Sequence, residues 1–291
     1  MVAVTDTHVG AAPGERYVVL AEDRYRVEAD WIRSDGCPPL NGVSQVAADS
    51  SGNVYVFQRS DPPVVVVDPD GRYVRSWGSG QVTDAHGIYI TADDRILLVD
   101  RDGHRVLCAT PTGDVLFTIG SSDRPRFGLP FNHPADVAVA PDGTIYVADG
   151  YGNSCLHRFR SDGTWLSSWG SPGSGPGEFS TPHGVWVLGD GRVLVADREN
   201  NRIQVFDSDG AYLEEWGNHY HPMDIHVDAM GAIHVTDQVP RLARLDAHGH
   251  LIGRCKPVPI GAHGVWGDPR GNLLLAEVDP INRITKLVPA G

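Results

Sequence analysis

The sequence is poor in cysteine, in long apolar runs and in positive charge. Four cysteines, Cys37, Cys108, Cys155 and Cys255, are scattered through 291 residues with no CxxC pair. They read as individual thiols and argue against a disulfide framework or a cysteine zinc site. No apolar stretch approaches the roughly 18 residues that span a bilayer. The opening residues, MVAVTDTHVGAAPGERYV, have neither the basic region nor the apolar run of a signal peptide. A soluble, cytoplasmic protein is therefore expected. Lys and Arg total 24 against 37 Asp and Glu, a formal charge of -13. That balance argues against nucleic acid and membrane surfaces as partners, though a local basic pocket can still take a small anion. Long helices are also excluded, because 34 Gly and 21 Pro interrupt helix interiors. A 41% hydrophobic content supplies ample core.

What the sequence does have is repetition. Six segments align: Val43–Arg59, His86–Arg101, Ala135–Gly150, His183–Arg198, Met223–Gln238 and His263–Val278. From His86 onward their starts lie 49, 48, 40 and 40 residues apart. Each unit reads as a short strand, a Gly-bearing turn and a second β-rich strand. Asp142-Gly143 and Asp190-Gly191 suggest two-residue turns with positive φ at both positions. A third strand such as Arg202–Phe206 follows, then a fourth ending in Trp77, Trp169 or Trp216. Four antiparallel strands per roughly 40–50 residues predict an all-β, six-bladed β-propeller. Tyr25–Trp31 matches the fourth-strand pattern ahead of the first repeat, and Arg283–Val288 is a third strand with nothing after it. The N-terminal outer strand should close the final blade and remove the open sheet edge. The expectation is one domain over 1–291, with about 1–16 as a flexible segment.

Three repeats begin with the same dipeptide: His86-Gly87, His183-Gly184 and His263-Gly264. They are the second, fourth and sixth, so in a closed ring they stand about a third of a turn apart, on inner strands lining the channel. Three converging imidazoles with an open position suit a divalent metal, with zinc the leading choice. The equivalent residues in the other repeats are Ser44, Ala135 and Met223. The second strands return to the same mouth and deliver Arg59, Arg101, Gly150-Tyr151, Arg198, Gln238 and Val278. Arginine can hold a carboxylate through two parallel bonds, and a tyrosine beside cations can serve as a base. Arg101 and Arg198 each follow an Asp, so pairing with neighbouring acids is an equally good account of them. The recurring Asp100, Asp149, Asp197 and Asp237 read as structural acceptors for backbone donors, and His226 and His234 as occupants of strand faces.

The stretches PADVAVAPDGTIYVADGYGNSCLHRF (Pro134–Phe159) and GEFSTPHGVWVLGDGRVLVADRENNRIQVF (Gly177–Phe206) resemble NHL-type six-bladed propellers, and more narrowly the peptidyl-α-hydroxyglycine α-amidating lyases. The resemblance implies zinc bound by His86, His183 and His263. It implies a catalytic Tyr151, from the GY-x-N-S motif, with Arg59 and Arg198 beside it. It also implies a structural calcium held partly by backbone carbonyls at Val46 and Ile88. Here, however, Gly264 stands where the family has an Asp, which argues against calcium. The family's cysteines are replaced by Gly152 and Val205, so its disulfides are not expected.

The resulting expectation is a metal-dependent lyase that splits N-acyl-α-hydroxyglycines into an amide and glyoxylate. Its substrate would be a small carboxylate-bearing molecule; no protein partner is indicated. Two other readings stay open: a metal-dependent hydrolase or lyase for another small hydroxy acid or lactone, and a non-catalytic propeller that binds a protein on its mouth.

Overall fold

The computed structural model describes residues 15–121, 124–128 and 130–291. The expected flexible segment over about 1–16 falls almost entirely outside these, and Arg16 opens a strand. Six sheets form the blades of a propeller, five of four strands and one of five. The fourth blade is representative, with strands Pro182–Val187, Val193–Asp197, Arg202–Phe206 and Tyr212–Trp216 from channel to rim. Neighbouring blades cover both faces of each sheet, so inner strands are apolar runs. Val64–Val67, four consecutive valines, is fully buried. Only the outermost strands alternate with solvent.

The hairpin turns differ from the two-residue turns expected. Ala140 and Leu188 pair with Thr144 and Arg192, enclosing three-residue loops. Only the glycines, Gly143 and Gly191, have positive φ, 88° and 90°. Asp142 and Asp190 keep ordinary φ and accept the N–H of Thr144 and Arg192 at 2.9 and 3.1 Å. The Asp side chain builds the turn, and the glycine takes its left-handed corner.

Three of the four recurring acids at the second-strand ends are clamps, as expected; Asp237 differs, its carboxylate pairing with the side chain of Arg241. Asp100, Asp149 and Asp197 accept the N–H of Thr83, Asn132 and Ser180 at 3.0, 3.0 and 2.8 Å, always 17 residues upstream. Gln58 does the same for Asn41. The loop entering each of these blades is thereby tied to the strand end that carries the rim residue. Asp197 also takes Arg202 Nε at 2.8 Å and Gln204 Nε2 at 3.0 Å, all within the interior.

The closing strand is Asp23–Glu28, somewhat earlier than the Tyr25–Trp31 expected, and it pairs with Arg283–Pro289. A fifth strand, Arg16–Leu20, folds back on it. Trp31 lies past the strand but keeps the role of the other tryptophans. Trp77, Trp169 and Trp216 lie against Gly113, Gly210 and Gly249 of the next blade, where any Cβ would overlap the indole. Trp31 meets Gly71 across the closure with its backbone carbonyl as well as its indole.

Replacing the buried Asp197 by Ala removes the partner of an interior guanidinium. The expected loss is about 3–5 kcal/mol in denaturant unfolding, against under about 1 kcal/mol for Ala at the exposed turn residue Asp190. Equal losses would contradict the clamp.

Candidate metal centre

The inner strands Ala85–Ile90, Pro182–Val187 and Ala262–Gly267 each carry histidine at their second position. The closed ring brings the three together, with ring centroids 5.0, 4.8 and 4.9 Å apart. All three are buried, and their ligand atoms lie within 4.8 Å of one another. The odd blades orient them. His86 Nδ1 is 2.6 Å from the carbonyl of Ala135, and His183 Nδ1 is 2.7 Å from that of Met223. A carbonyl only accepts, so both Nδ1 atoms carry the proton and both Nε2 atoms present lone pairs. The matching carbonyl for His263 is that of Ser44, at a geometry short of a full hydrogen bond. Ser44, Ala135 and Met223 are the repeat equivalents of the histidines themselves.

The electrostatics keep the rings neutral. Burial, reinforced by the neighbouring His263, pushes the titration of His86 and His183 well below the usual histidine range. His263 is pushed down to about 3, by burial first and then by Arg59 and Arg198. Tyr151 Oη lies 3.0 Å from both His86 Nε2 and His183 Nε2. One phenolic proton therefore faces at least two lone pairs on buried imidazoles. The shortfall is of positive charge, and the donor set fits a divalent metal.

The rim residues converge as well. Arg198 Nη1 approaches Tyr151 Oη at 3.4 Å while its Nε pairs with Glu199 at 3.1 Å. Arg59 pairs with Asp84 at 3.3 Å, and Arg101 reaches the same carboxylate at 2.9 Å. The Arg101 guanidinium also lies 5.3 Å from the centre of the Tyr151 ring. Pairing with acids and nearness to the centre thus hold together for these arginines. Gln238 and Val278 bring no ionisable group to the mouth. The sequence marks Asp84 only by its place two residues before His86.

A second cluster with metal-ligating atoms, Asp149, Cys155 and His157, lies buried in the third blade. There His157 Nε2 meets Asp149 Oδ2 at 3.0 Å and Nδ1 meets Ser168 Oγ at 2.6 Å, so both ring nitrogens are engaged. Burial and Asp149 push the Cys155 thiol up to about 12. The calcium implied by resemblance does not fit the channel below the histidines. Ile88 borders a small void there, lined also by Gln45, Asp136 and Asp224, and Gln45 Oε1 in this layer already accepts the Val46 N–H at 3.0 Å. Gly264 offers no carboxylate, and a Cβ on it would lie 1.4 Å from Gln45 Oε1, so that space is taken.

A family model described as NHL repeat matches residues 131–159 and 179–206. NHL repeat-containing protein 3 of Homo sapiens is 36% identical over 211 residues, covering 67% of this chain and 60% of that protein. The chain thus spans less than two thirds of that relative's length. Peptidyl-alpha-hydroxyglycine alpha-amidating lyase 1 of Drosophila melanogaster is 27% identical over 217 residues, 62% of this chain and 40% of that protein. A solved streptogramin B lyase superposes with a TM-score of 0.69 over 91% of this chain and 98% of that one, at 15% identity, a likeness of fold.

Protonation opposes the folded state of the chelated, metal-free protein. An unfolded histidine binds a proton near pH 6.5, which folded His263 refuses until about 3. His226, pushed to about 3 by burial, acts with the same sign. The contribution of each such histidine is therefore full above pH 6.5 and erodes as pH falls toward 3, by up to roughly 1.4 kcal/mol per unit, while Asp224, raised to about 6 by burial, opposes part of the fall. Urea midpoints of the chelated protein between pH 7.5 and 5 check this, and His263→Gln should flatten the fall. In metal analysis, His183→Ala should drop from about one equivalent to under roughly a tenth.

Proposed function

Because the chain is an NHL-repeat six-bladed β-propeller related to the amidating-lyase propellers, we propose that it is a metal-dependent lyase releasing glyoxylate and an amide from N-acyl-α-hydroxyglycines. The observation that carries this reading is the position of Tyr151 Oη, 3.0 Å from two histidine Nε2 atoms, with Arg198 3.4 Å away and Arg101 5.3 Å from its ring. Zinc held by His86, His183 and His263 would supply a Lewis acid for the developing charge on the substrate hydroxyl oxygen.

The chain's own groups do the rest. Arg59 takes the substrate carboxylate, and Arg198 stands beside Tyr151 to stabilise negative charge. Tyr151, as the phenolate once its own proton has left to solvent, accepts the hydroxyl proton at Oη; the carbonyl of glyoxylate forms as the C–N bond breaks. The same proton then balances the departing amide nitrogen, so neither water nor a redox partner is consumed. A hydrolase needs a base for water instead. Asp84, a carboxylate at this mouth, is already shared by Arg59 and Arg101, which favours the lyase.

The loops before the third and fifth blades add apolar surface on this side. Phe127 is 87% exposed and Tyr220 50%. Phe127 sits between Arg126 and Gly128, both bonded to Asn153 just past Tyr151. These rings support an apolar acyl group, such as benzoyl, in preference to acetyl. None of the four cysteines is in a disulfide, which suits a reducing compartment, the cytoplasm in this reading.

The test is glyoxylate release from N-benzoyl- and N-acetyl-α-hydroxyglycine by the zinc-loaded protein. Tyr151→Phe should lower kcat by about 10²–10⁴-fold with metal content unchanged, and Arg59→Met should act chiefly on KM. Lactone hydrolysis without glyoxylate would replace the lyase reading by the hydrolase one.

A further inference from the structure

Directly after each histidine the even blades carry glycine: Gly87, Gly184 and Gly264. At the same register the odd blades carry Gln45, Asp136 and Asp224, all buried. Each glycine vacates space for an odd-blade neighbour. A Cβ on Gly87 would lie 2.6 Å from Asp136 Oδ1, one on Gly264 1.4 Å from Gln45 Oε1, and one on Gly184 2.9 Å from the Met223 carbonyl.

The oxygens of this layer are largely committed to N–H donors. Asp136 Oδ2 accepts Val185 N at 3.0 Å. Asp224 Oδ1 accepts Ile225 N at 2.8 Å, and its Oδ2 accepts Val265 N at 2.7 Å. Gln45 Oε1 accepts Val46 N at 3.0 Å, while Gln45 Nε2 donates to Asp224 Oδ2 at 2.9 Å. This last bond crosses the channel and joins positions 179 residues apart. The amide is oriented without ambiguity, because its oxygen faces an N–H and its nitrogen faces a carboxylate. The remaining void measures about 10 Å³, room for one water at most. A calcium ion would need six to eight free oxygens.

We propose that Gln45 is a positioning residue of the metal centre, a side-chain pin to Asp224 that locks the first, fifth and sixth blades together and removes the need for a channel cation. The pin acts on the centre through the chain itself. Ser44 and Met223, whose carbonyls face His263 and His183, immediately precede Gln45 and Asp224. Holding the two side chains together holds those carbonyls, and the carbonyls set the two imidazoles. This part rests on a metal at the three histidines; the independence from calcium does not.

The test uses the whole chain in calcium-stripped buffer, with Co²⁺ as a spectroscopic probe of the three-histidine site. Wild type should hold no stoichiometric calcium after desalting, and adding CaCl₂ should move its Tm by less than about 1 °C. Gln45→Glu keeps the shape but sets a carboxylate against Asp224. Its Tm should fall several degrees and recover with CaCl₂. Gln45→Ala should bind Co²⁺ about 10–100-fold more weakly, with an altered d–d spectrum, an effect that a purely structural residue would not produce in folded protein. If Gln45→Ala does not fold, the Co²⁺ spectrum of Gln45→Glu with and without calcium gives the same readout. Stoichiometric calcium in wild type, with a Tm that drops on its removal, overturns the pin. So does a Gln45 variant matching wild type in both Tm and Co²⁺ spectrum. A wild type that takes up no Co²⁺ defeats the metal reading and with it the positioning role, while the calcium measurements still decide the pin.

Discussion

Closure of the ring is the constraint on which everything else depends. The strand Asp23–Glu28 hydrogen-bonds to Arg283–Pro289, joining residues from opposite ends of the chain. A lone blade is a small sheet with both faces apolar, and it has no independent stability. Only stacking in a closed circle covers every face and leaves no large free edge. Once that circle exists, the second, fourth and sixth blades stand around one axis, and identical positions on them meet. The three histidines touch because the ring closes, not because of any local affinity between them.

The channel that results is narrow and dry, and this sets a rule for its polar groups. Each must find a partner inside the protein, since burying one unpaired costs several kcal/mol. The blades meet the rule by dividing the work. Even blades supply imidazoles followed by glycine; odd blades supply the carbonyls that fix those imidazoles and the side chains that fill the glycine gaps. The Nε2 atoms lie outside this pairing. Those of His86 and His183 meet at Tyr151 Oη, where a cation satisfies them better than a single hydroxyl proton can. Beneath this polar layer, Tyr89, Trp186 and Trp266 meet with centroids 5.4–5.6 Å apart and plug the channel with aromatic rings.

Most of the fold was legible because its signals are local and repeated. Asp-Gly turns, apolar strands and terminal tryptophans recur at a steady period, and each repeat reinforces the others. The turn type is not legible in the sequence, because both candidate turns place Asp before Gly. What separates them is whether the Asp backbone turns left-handed or its side chain does the bonding. The closing strand ends before Trp31 for a related reason: a tryptophan marks an interblade contact with Gly71, not a strand terminus. Within the centre, the alternation of His-Gly was visible from the repeat alignment. Gln45, Asp136 and Asp224 stood in the same columns, yet nothing in a one-dimensional pattern says that a glycine on one blade makes room for a glutamine on the next.

Sequence alone determined the number of blades, the identity of the three histidines and the placing of Tyr151, Arg59 and Arg198 at one mouth. Period and strand direction suffice for these, because they follow from counting along the chain. Tertiary structure decided which partner each group holds: Arg59 and Arg101 share Asp84, Arg198 meets both Glu199 and Tyr151, and Gln45 donates to Asp224. Such pairings depend on distances of about 3 Å between segments tens to hundreds of residues apart. Hydrogen bonds and ion pairs are that short in range, so only the closed ring could assign them.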